Sequence, residues 1–316
     1  MDLIGIFYRL YAYFYHRREK RTFGKIKVNT AMSLLTIRIM NLVLPLYFKV
    51  TCKNEKHRVN GLLHSEDKII VSLTSFPARI GKVWLTIESL MRQKMKPDMI
   101  ILWLSKEQFK DIESLPKRLC DLRERGLIIK FKDDDIKSYK KYHYTIEEYP
   151  DATIILADDD FIYDTDLVSS LMQVHKEEPN VICARYGYRM KWDSNGQISS
   201  YLSWEMIKRA TPASSKVFFG SGGGTLFTRT MMYTDLHNIK LARELCPTAD
   251  DIYLNAMARL NSTKIRFVPG KYVLASLSIE NNETLASTNI GTECQNDIQI
   301  KKLNNYYFSK VNKVVF

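Results

Sequence analysis

Residues Ala152–Ala157 read ATIILA and run directly into Asp158-Asp159-Asp160. A short, unbroken apolar run rich in β-branched residues predicts a buried strand. Three successive carboxylates at its end repel one another unless something positive sits among them. A hard divalent cation carrying diphosphate oxygens answers that need, because Mg²⁺ and Mn²⁺ prefer oxygen ligands and bridge carboxylates to phosphates. The competing reading is a solvated acidic turn, and the apolar strand before the triplet weighs against it.

Working outward, the pattern repeats. KIIVSL (68–73), MIILWL (99–104), LIIKF (127–131) and residues 181–185 read as further short buried strands. Between them, Val83, Trp84, Ile87, Leu90 and Met91 recur at helical spacing. A polar helix-like region runs to about Arg125, and residues 137–148 read as helix. Thr165 stands where it would cap a helix running to His175, stopped by Pro179. Strands alternating with helices predict an α/β fold with a mostly parallel sheet flanked by helices. Ligands of such sheets bind at the carboxyl ends of the strands. Asp133-Asp134-Asp135 and Asp158-Asp159-Asp160 both fall at such ends, and so does the loop Thr74-Ser75-Phe76-Pro77-Ala78-Arg79. There is no internal repeat and no low-complexity segment.

The formal charge of +12 suggests nucleic-acid binding until it is located. Residues 1–60 hold 12 Lys/Arg against 3 Asp/Glu, and the other 256 residues hold 35 against 32. The main domain therefore offers no basic stripe of the kind nucleic acid requires. The basic region is apolar too. LIGIFYRLYAYFY (3–15) is followed by Arg17, Arg18, Lys20, Arg21, Lys25 and Lys27, then by an apolar stretch from Ala31 to Val50 interrupted by Arg38, Pro45 and Lys49. The first stretch is too short to span a bilayer, and the charges count against the second. Residues 1–60 read as a helical, membrane-associating extension peripheral on the cytoplasmic face of the cell membrane. Packing of these helices onto the domain is one alternative, and a true transmembrane span through the second stretch is the other. Residues 61–316 form the main domain. Five scattered cysteines without a Cys-x-x-Cys pair favour a reducing compartment over a disulfide framework or zinc knuckle.

A second acidic candidate is Asp250-Asp251, opening a helix in which Leu254, Met257 and Ala258 keep helical spacing. A carboxylate there would serve as general base toward a hydroxyl. Equally, Thr248-x-x-Asp251 has the form of a capping box. FGSGGGT (219–225) is a glycine-dense loop without the Lys-Ser/Thr of a phosphate-binding Walker loop. Its glycines, Gly222 and Gly223 included, would let backbone approach a sugar or let a lid move, unless it is a plain connector. Thr74, Phe76, Arg79, Lys137, Lys140 and Lys141 are candidate donor contacts, with a solvated basic helix face as the alternative for the lysines. Trp204 reads as a sugar-stacking ring or as core.

VSLTSFPARI, KPDMIILWLSKEQF and TIILADDDFIYD, followed by FFGSGGGTLF and CPTADDIYLNAMARL, resemble bacterial glycosyltransferases of capsule and lipopolysaccharide assembly. They are similar to the family 2-like branch of the GT-A superfamily. The likeness runs from about residue 68 to 308 and takes in Asn296-Asp297. It implies a Rossmann-like GT-A fold, with a nucleotide-sugar half over about 68–165 and an acceptor half over about 166–316. It further implies Asp158 and Asp159 at the donor, Asp160 with Asp158 at the metal, and Asp251, beside Asp250, as the base of an inverting transfer. One departure stands out. Many such enzymes end the second strand with an acidic reader of the nucleobase, whereas this one ends Leu104-Ser105, leaving Asp134 or Asp135 to substitute. The expected cofactor is Mn²⁺ or Mg²⁺, the donor a nucleoside-diphosphate sugar (a UDP-sugar first), and the acceptor a glycan or lipid-linked glycan. The rival functions are a metal-dependent nucleotidyl- or phosphotransferase and a non-catalytic carbohydrate-binding relative.

Overall fold

The computed structural model describes residues 2–18, 28–52, 54–59, 68–271, 273–277 and 294–316. All five apolar runs form strands: β1 (Ile69–Thr74), β2 (Met99–Ser105), β3 (Leu127–Lys132), β4 (Thr153–Ala157) and, after β5 (Phe161–Ile162), β6 (Ile182–Ala184). They are followed by β7 (Gly187–Arg189), β8 (Glu205–Met206), β9 (Val217–Phe219), β10 (Gly223–Phe227), β11 (Ile265–Phe267) and β12 (Ala275–Ser276). The helices are α1 (Leu3–His16), α2 (Val28–Thr51), α3 (Pro77–Ile80), α4 (Val83–Met91), α5 (Lys117–Asp121), α6 (Lys140–Glu148), α7 (Leu167–Glu177), α8 (Ile239–Leu245), α9 (Asp250–Leu260) and α10 (Gln295–Val311).

Seven strands make the central sheet, in the order β11-β6-β10-β4-β1-β2-β3. The pairs β1–β2, β1–β4, β2–β3 and β6–β11 are parallel, and β10 runs antiparallel between β4 and β6. The mixed, mostly parallel α/β sheet flanked by helices is thus present. Its inner strands read as continuous apolar runs because both faces are covered, whereas β3, at the edge, is half-buried. Ile70, Ile101, Trp103, Ile154 and Leu156 face a core shared with α6, α9 and α10. Val71, Leu73, Ile100, Leu102 and Ile155 face a core shared with α4, α7 and the N-terminal helices.

The antiparallel β10 has a consequence for the site. Gly223 sits opposite Ala157, so the start of β10 lies at the carboxyl end of β4. The glycine-dense segment is therefore neither lid nor loose connector: residues 220–225 are buried, and half of them belong to β10. Gly224 takes a left-handed φ of +95°, at a register irregularity between Gly223 and Thr225. Two further expectations change. Thr165 does not cap α7; its hydroxyl donates to Asp2 Oδ2 at 2.7 Å. The polar region before Arg125 is helical only from Lys117.

The N-terminal helices dock on the domain. Ile4, Tyr8 and Tyr11 of α1 and Met40, Leu44 and Phe48 of α2 are buried in the core shared with α4 and α7. The Tyr8 hydroxyl donates to Ile162 O, and Asn41 Nδ2 donates to Ser276 O at 3.1 Å. Arg92 lies over the rings of Tyr47 and Phe48. The opposite side of α2 exposes Leu34, Leu35, Leu42, Leu46 and Val50. Lys20, Arg21, Lys25 and Lys27 of the basic cluster, and the domain boundary near residues 60–67, lie outside the described residues.

Candidate active site

A cavity of about 810 Å³ opens at the carboxyl edge of the sheet, lined by Thr74, Phe76 and Arg79 after β1, Asp158–Asp160 after β4, the glycine turn, and Thr248–Ile252 at the start of α9. The parallel order sets β1 beside β4, and antiparallel β10 brings Ser221 and Gly222 to the same edge. Asp158 N–H donates to Gly222 O at 3.2 Å and to the Tyr163 hydroxyl at 2.7 Å, and that hydroxyl donates to Gly222 O. A Cβ on Gly222 would stand 1.8 Å from the Asp158 carboxyl, so only glycine lets the two segments close. A Cβ on Gly223 would meet Tyr186 at 2.1 Å.

The three carboxylates of the triplet have different surroundings. Asp159 is buried, and both its oxygens are engaged, Oδ2 by the Ser75 hydroxyl at 2.5 Å and Oδ1 by Arg79 Nη1 at 2.7 Å. It orients Arg79, and the guanidinium already balances its charge. Arg79 also reaches Asp160 Oδ2 at 3.1 Å. The other oxygen of Asp160, Oδ1, is buried with no hydrogen-bond partner among the described residues. Burial, and then the neighbouring Asp158 carboxylate, push Asp160 up to about 7. Asp158 is the most exposed of the three and accepts from Lys141 Nζ at 2.7 Å.

Lys141 ties the two acidic motifs together. Its ammonium, 2% exposed, lies 2.7 Å from Asp158 Oδ1 and 3.1 Å from Asp250 Oδ2. Burial alone would lower its pKa, but Asp158, then Asp250 and Asp251, more than reverse this and hold it above the usual lysine range. Lys140 is buried as well and pairs with Asp135. Neither lysine lies on a solvated helix face, although both line the cavity. Lys137 is exposed, also at the cavity wall.

The capping-box reading of Asp251 does not hold. Helix α9 starts at Asp250 with Ala249 as its N-cap, and the Thr248 hydroxyl turns to Gln299 Oε1 at 3.4 Å. Instead, Ser221 holds both carboxylates from the glycine turn, its N–H donating to Asp251 Oδ1 at 2.8 Å and its hydroxyl to Asp250 Oδ2 at 3.1 Å. Burial, and then the adjacent Asp250, push Asp251 up to about 7, against the opposing pull of Lys141 and the Ser221 N–H. A carboxyl that titrates near neutrality in a cavity is suited to proton transfer.

Of the two acidic residues offered for the nucleobase, Asp135 lines the cavity, whereas Asp134 is exposed and does not. Asp135 Oδ2 accepts from Gln108 Nε2 at 2.8 Å, leaving Gln108 Oε1 buried at the wall with no partner among the described residues. Trp204 is core, packed on Tyr201 and Phe218. Gln108, Tyr163, Ser221, Tyr186, Tyr188, Tyr201 and Asn296 were not singled out by the sequence. Gln108, Tyr163 and Ser221 lay inside quoted motifs and Asn296 in the Asn296-Asp297 pair, whereas the three tyrosines of 186–201 carried no signal.

The residues fit a hard divalent cation shared with a ligand. Among the described residues no three His, Cys, Asp or Glu side chains converge as a metal set. Asp158 and Asp160 stand among the aspartates lining the cavity, and among the described residues Asp160 Oδ1 has no hydrogen-bond donor. Mg²⁺ typically takes one or two carboxylates, with substrate phosphates and water completing its shell.

No family model matches the chain, and no curated protein matches it significantly. Solved structures similar to it include a mannosyltransferase from Pyrobaculum calidifontis in complex with GDP-Man and Mn²⁺, at 11% identity and TM-score 0.47 over 88% of this chain and 75% of that one. Another is 4-diphosphocytidyl-2C-methyl-D-erythritol synthase from Anaerococcus prevotii, at 14% identity and TM-score 0.44 over 71% and 95%. A third is CMP:2-keto-3-deoxy-manno-octonic acid synthetase complexed with CTP, at 9% identity and TM-score 0.36 over 64% and 89%. At these values the likenesses assign neither family nor activity to this chain.

Proposed function

We propose that the chain is a metal-dependent, inverting glycosyltransferase of the GT-A type, acting in surface-glycan assembly. It would move a sugar from a nucleoside-diphosphate sugar to a hydroxyl of a glycan or lipid-linked glycan. The observation that carries this reading is the meeting of two acidic motifs, some ninety residues apart in sequence, in one cavity with Lys141 between them.

Asp158 and Asp160 would hold Mn²⁺ or Mg²⁺, which when bound neutralises charge on the departing diphosphate. Arg79, fixed by Asp159, adds positive charge on the same side. Gly222 keeps the wall thin enough for Asp158 to stand where it does. Gln108 Oε1, beside Asp135, offers an acceptor to a ring N–H of the base, which uracil and guanine supply and cytosine and adenine do not, so UDP-sugars are tried first with GDP-sugars beside them. Asp251 receives the acceptor's proton, held in place by Ser221. Asp250, paired with Lys141 and Ser221, keeps that carboxylate's pKa high.

The N-terminal helices are read as a surface anchor on the cytoplasmic face of an anionic membrane. The buried stripe Ser33, Thr36, Met40, Leu44 and Phe48 packs α2 on the domain, so α2 cannot give its whole circumference to lipid. The face it leaves is apolar, and Arg17, Arg18, Arg38 and Lys49 complement anionic headgroups.

Incubation with UDP- and GDP-sugars and Mn²⁺ tests the activity. Slow release of nucleoside diphosphate with free sugar is expected. Release of nucleoside monophosphate with sugar phosphate would establish the nucleotidyl- or phosphotransferase instead, and binding without turnover the non-catalytic relative.

A further inference from the structure

The cavity's charges are sorted by wall. Its cations, Arg79, Lys137, Lys140 and Lys141, all come from residues 79–141. Among the described residues, the wall from 186 to 296 contributes none. It offers Tyr186, Tyr188, Tyr201, Phe218 and Asn296 beside Asp250 and Asp251.

These rings form a braced series. Tyr186 and Tyr188 meet edge-on at 5.8 Å with their hydroxyls 2.8 Å apart, and Tyr188 meets Tyr201 at 5.5 Å. Tyr201 is fixed from behind by Trp204 and Phe218, and its N–H donates to Asp297 Oδ1 at 2.7 Å. The preceding residue, Asn296, is 6% exposed, and its Oδ1 has no hydrogen-bond partner among the described residues. A buried carbonyl without a donor costs stability, and in a cavity wall it marks where a ligand donor belongs.

We propose that this wall is the acceptor subsite and that it binds a neutral sugar ring. The ring's C–H face stacks on the tyrosines, one hydroxyl donates to Asn296 Oδ1, and the reacting hydroxyl is presented to Asp251. The proposal rests on the glycosyltransferase reading. A phosphate or carboxylate on this sugar is disfavoured, because the wall presents Asp250 and Asp251, and the cation nearest them, Lys141, is already shared between Asp250 and Asp158.

The test is saturation-transfer NMR on the full chain. The probes are the methyl glycosides of glucose, galactose, mannose and N-acetylglucosamine, with glucose, galactose and mannose 6-phosphates as anionic counterparts. At least one neutral glycoside is expected to receive saturation, strongest on its ring C–H protons, and the phosphates to bind at least about tenfold more weakly. Asn296→Ala is expected to weaken the neutral glycoside about tenfold, the worth of one good hydrogen bond. Its melting temperature should stay unchanged or rise, because the orphaned carbonyl is gone. Tyr188→Leu should weaken the same glycoside. The proposal is overturned if no neutral glycoside binds, if the phosphates bind as well, or if Asn296→Ala lowers the melting temperature and leaves sugar binding intact. Nucleotide-sugar hydrolysis is read on the same samples. Hydrolysis without glycoside binding removes the subsite alone, whereas binding without hydrolysis removes the acceptor role together with the glycosyltransferase reading.

Discussion

The two walls of the cavity hold their functional groups by different physics. On the wall from residues 74 to 161, carboxylates and cations fix one another: Arg79 with Asp159 and Asp160, Lys140 with Asp135, Lys141 with Asp158. On the wall from 186 to 296, tyrosine rings and one unpartnered amide carbonyl are held by aromatic packing and by Asp297. The first wall is suited to a polyanion that arrives with a metal, the second to a neutral, hydroxyl-rich ring. Asp250 and Asp251 stand between them, tied to the first wall by Lys141 and to the sheet by Ser221. The difference teaches that charge balance and shape are separable here, so substitutions on the two walls should fail in different ways.

The largest expected effect falls between the walls. Asp251→Asn keeps an acceptor for the Ser221 N–H but cannot take a proton, so turnover should fall about 10²-fold or more while donor affinity holds. In the wild type, turnover should rise with pH through about 7 and level off above it, since the base works only when deprotonated. The stability sign runs the other way. A carboxyl raised from 3.8 to about 7 keeps in the folded state a proton that the unfolded chain gives up, so its folded form loses stability as pH rises across that window. Asp251→Asn should therefore gain melting temperature relative to wild type at pH 8 and lose that gain near pH 4. Melting curves at the two pH values check this; a lower melting temperature at pH 8 would return Asp251 to a structural role.

Next comes the bridge. Lys141→Met leaves buried Asp250 and half-exposed Asp158 without their cation. Breaking a buried pair typically costs about 3–5 kcal/mol, and the exposure of Asp158 places this one at or below about 3. Denaturant titration reads the loss; unchanged stability would show that the motifs do not need the bridge. Gly222→Ala acts on the donor wall alone. Its Cβ collides with the Asp158 carboxyl, and displacement on the order of 1 Å at a reacting centre can cost roughly 10²-fold in turnover. Donor and acceptor KM measured together would separate the walls, with only the donor side expected to change. The smallest effect concerns the N-terminal helices. Leu42→Asp, on a side chain 71% exposed, should leave melting unchanged and reduce sedimentation with phosphatidylserine vesicles several-fold. Equal sedimentation would discard the surface-anchor reading.

What was legible in the sequence follows from what is local. Strands buried on both faces leave unbroken apolar runs, so β1, β2, β4 and β6 could be read directly, as could the half-buried edge strand β3, and with them the carboxyl edge that carries Asp158–Asp160. The rest depends on pairing across long separations. Lys141 shares a helix with exposed residues and looks solvated until Asp158 and Asp250 fold against it from 17 and 109 positions away. The glycine segment looked like a hinge because nothing local says that β10 runs antiparallel into the sheet. Thr248-x-x-Asp251 matched a capping pattern, but Ser221, thirty residues earlier, took the Asp251 carboxylate. The tyrosine wall is assembled from β7, the neighbouring loops and the support of α10, and leaves no periodic trace.

In the proposed mechanism Asp160 would work on the donor through a metal while Asp251 would work on the acceptor. Calorimetric titration tests it directly, using the nucleotide sugar that gives the largest thermal shift with Mn²⁺. Wild type and Asp251→Asn should bind that donor with Mn²⁺ and lose it in EDTA, and Asp160→Ala should bind weakly in both. Donor affinity in the wild type that is indifferent to EDTA, or an Asp160→Ala variant that still binds in a Mn²⁺-dependent way, would contradict the account.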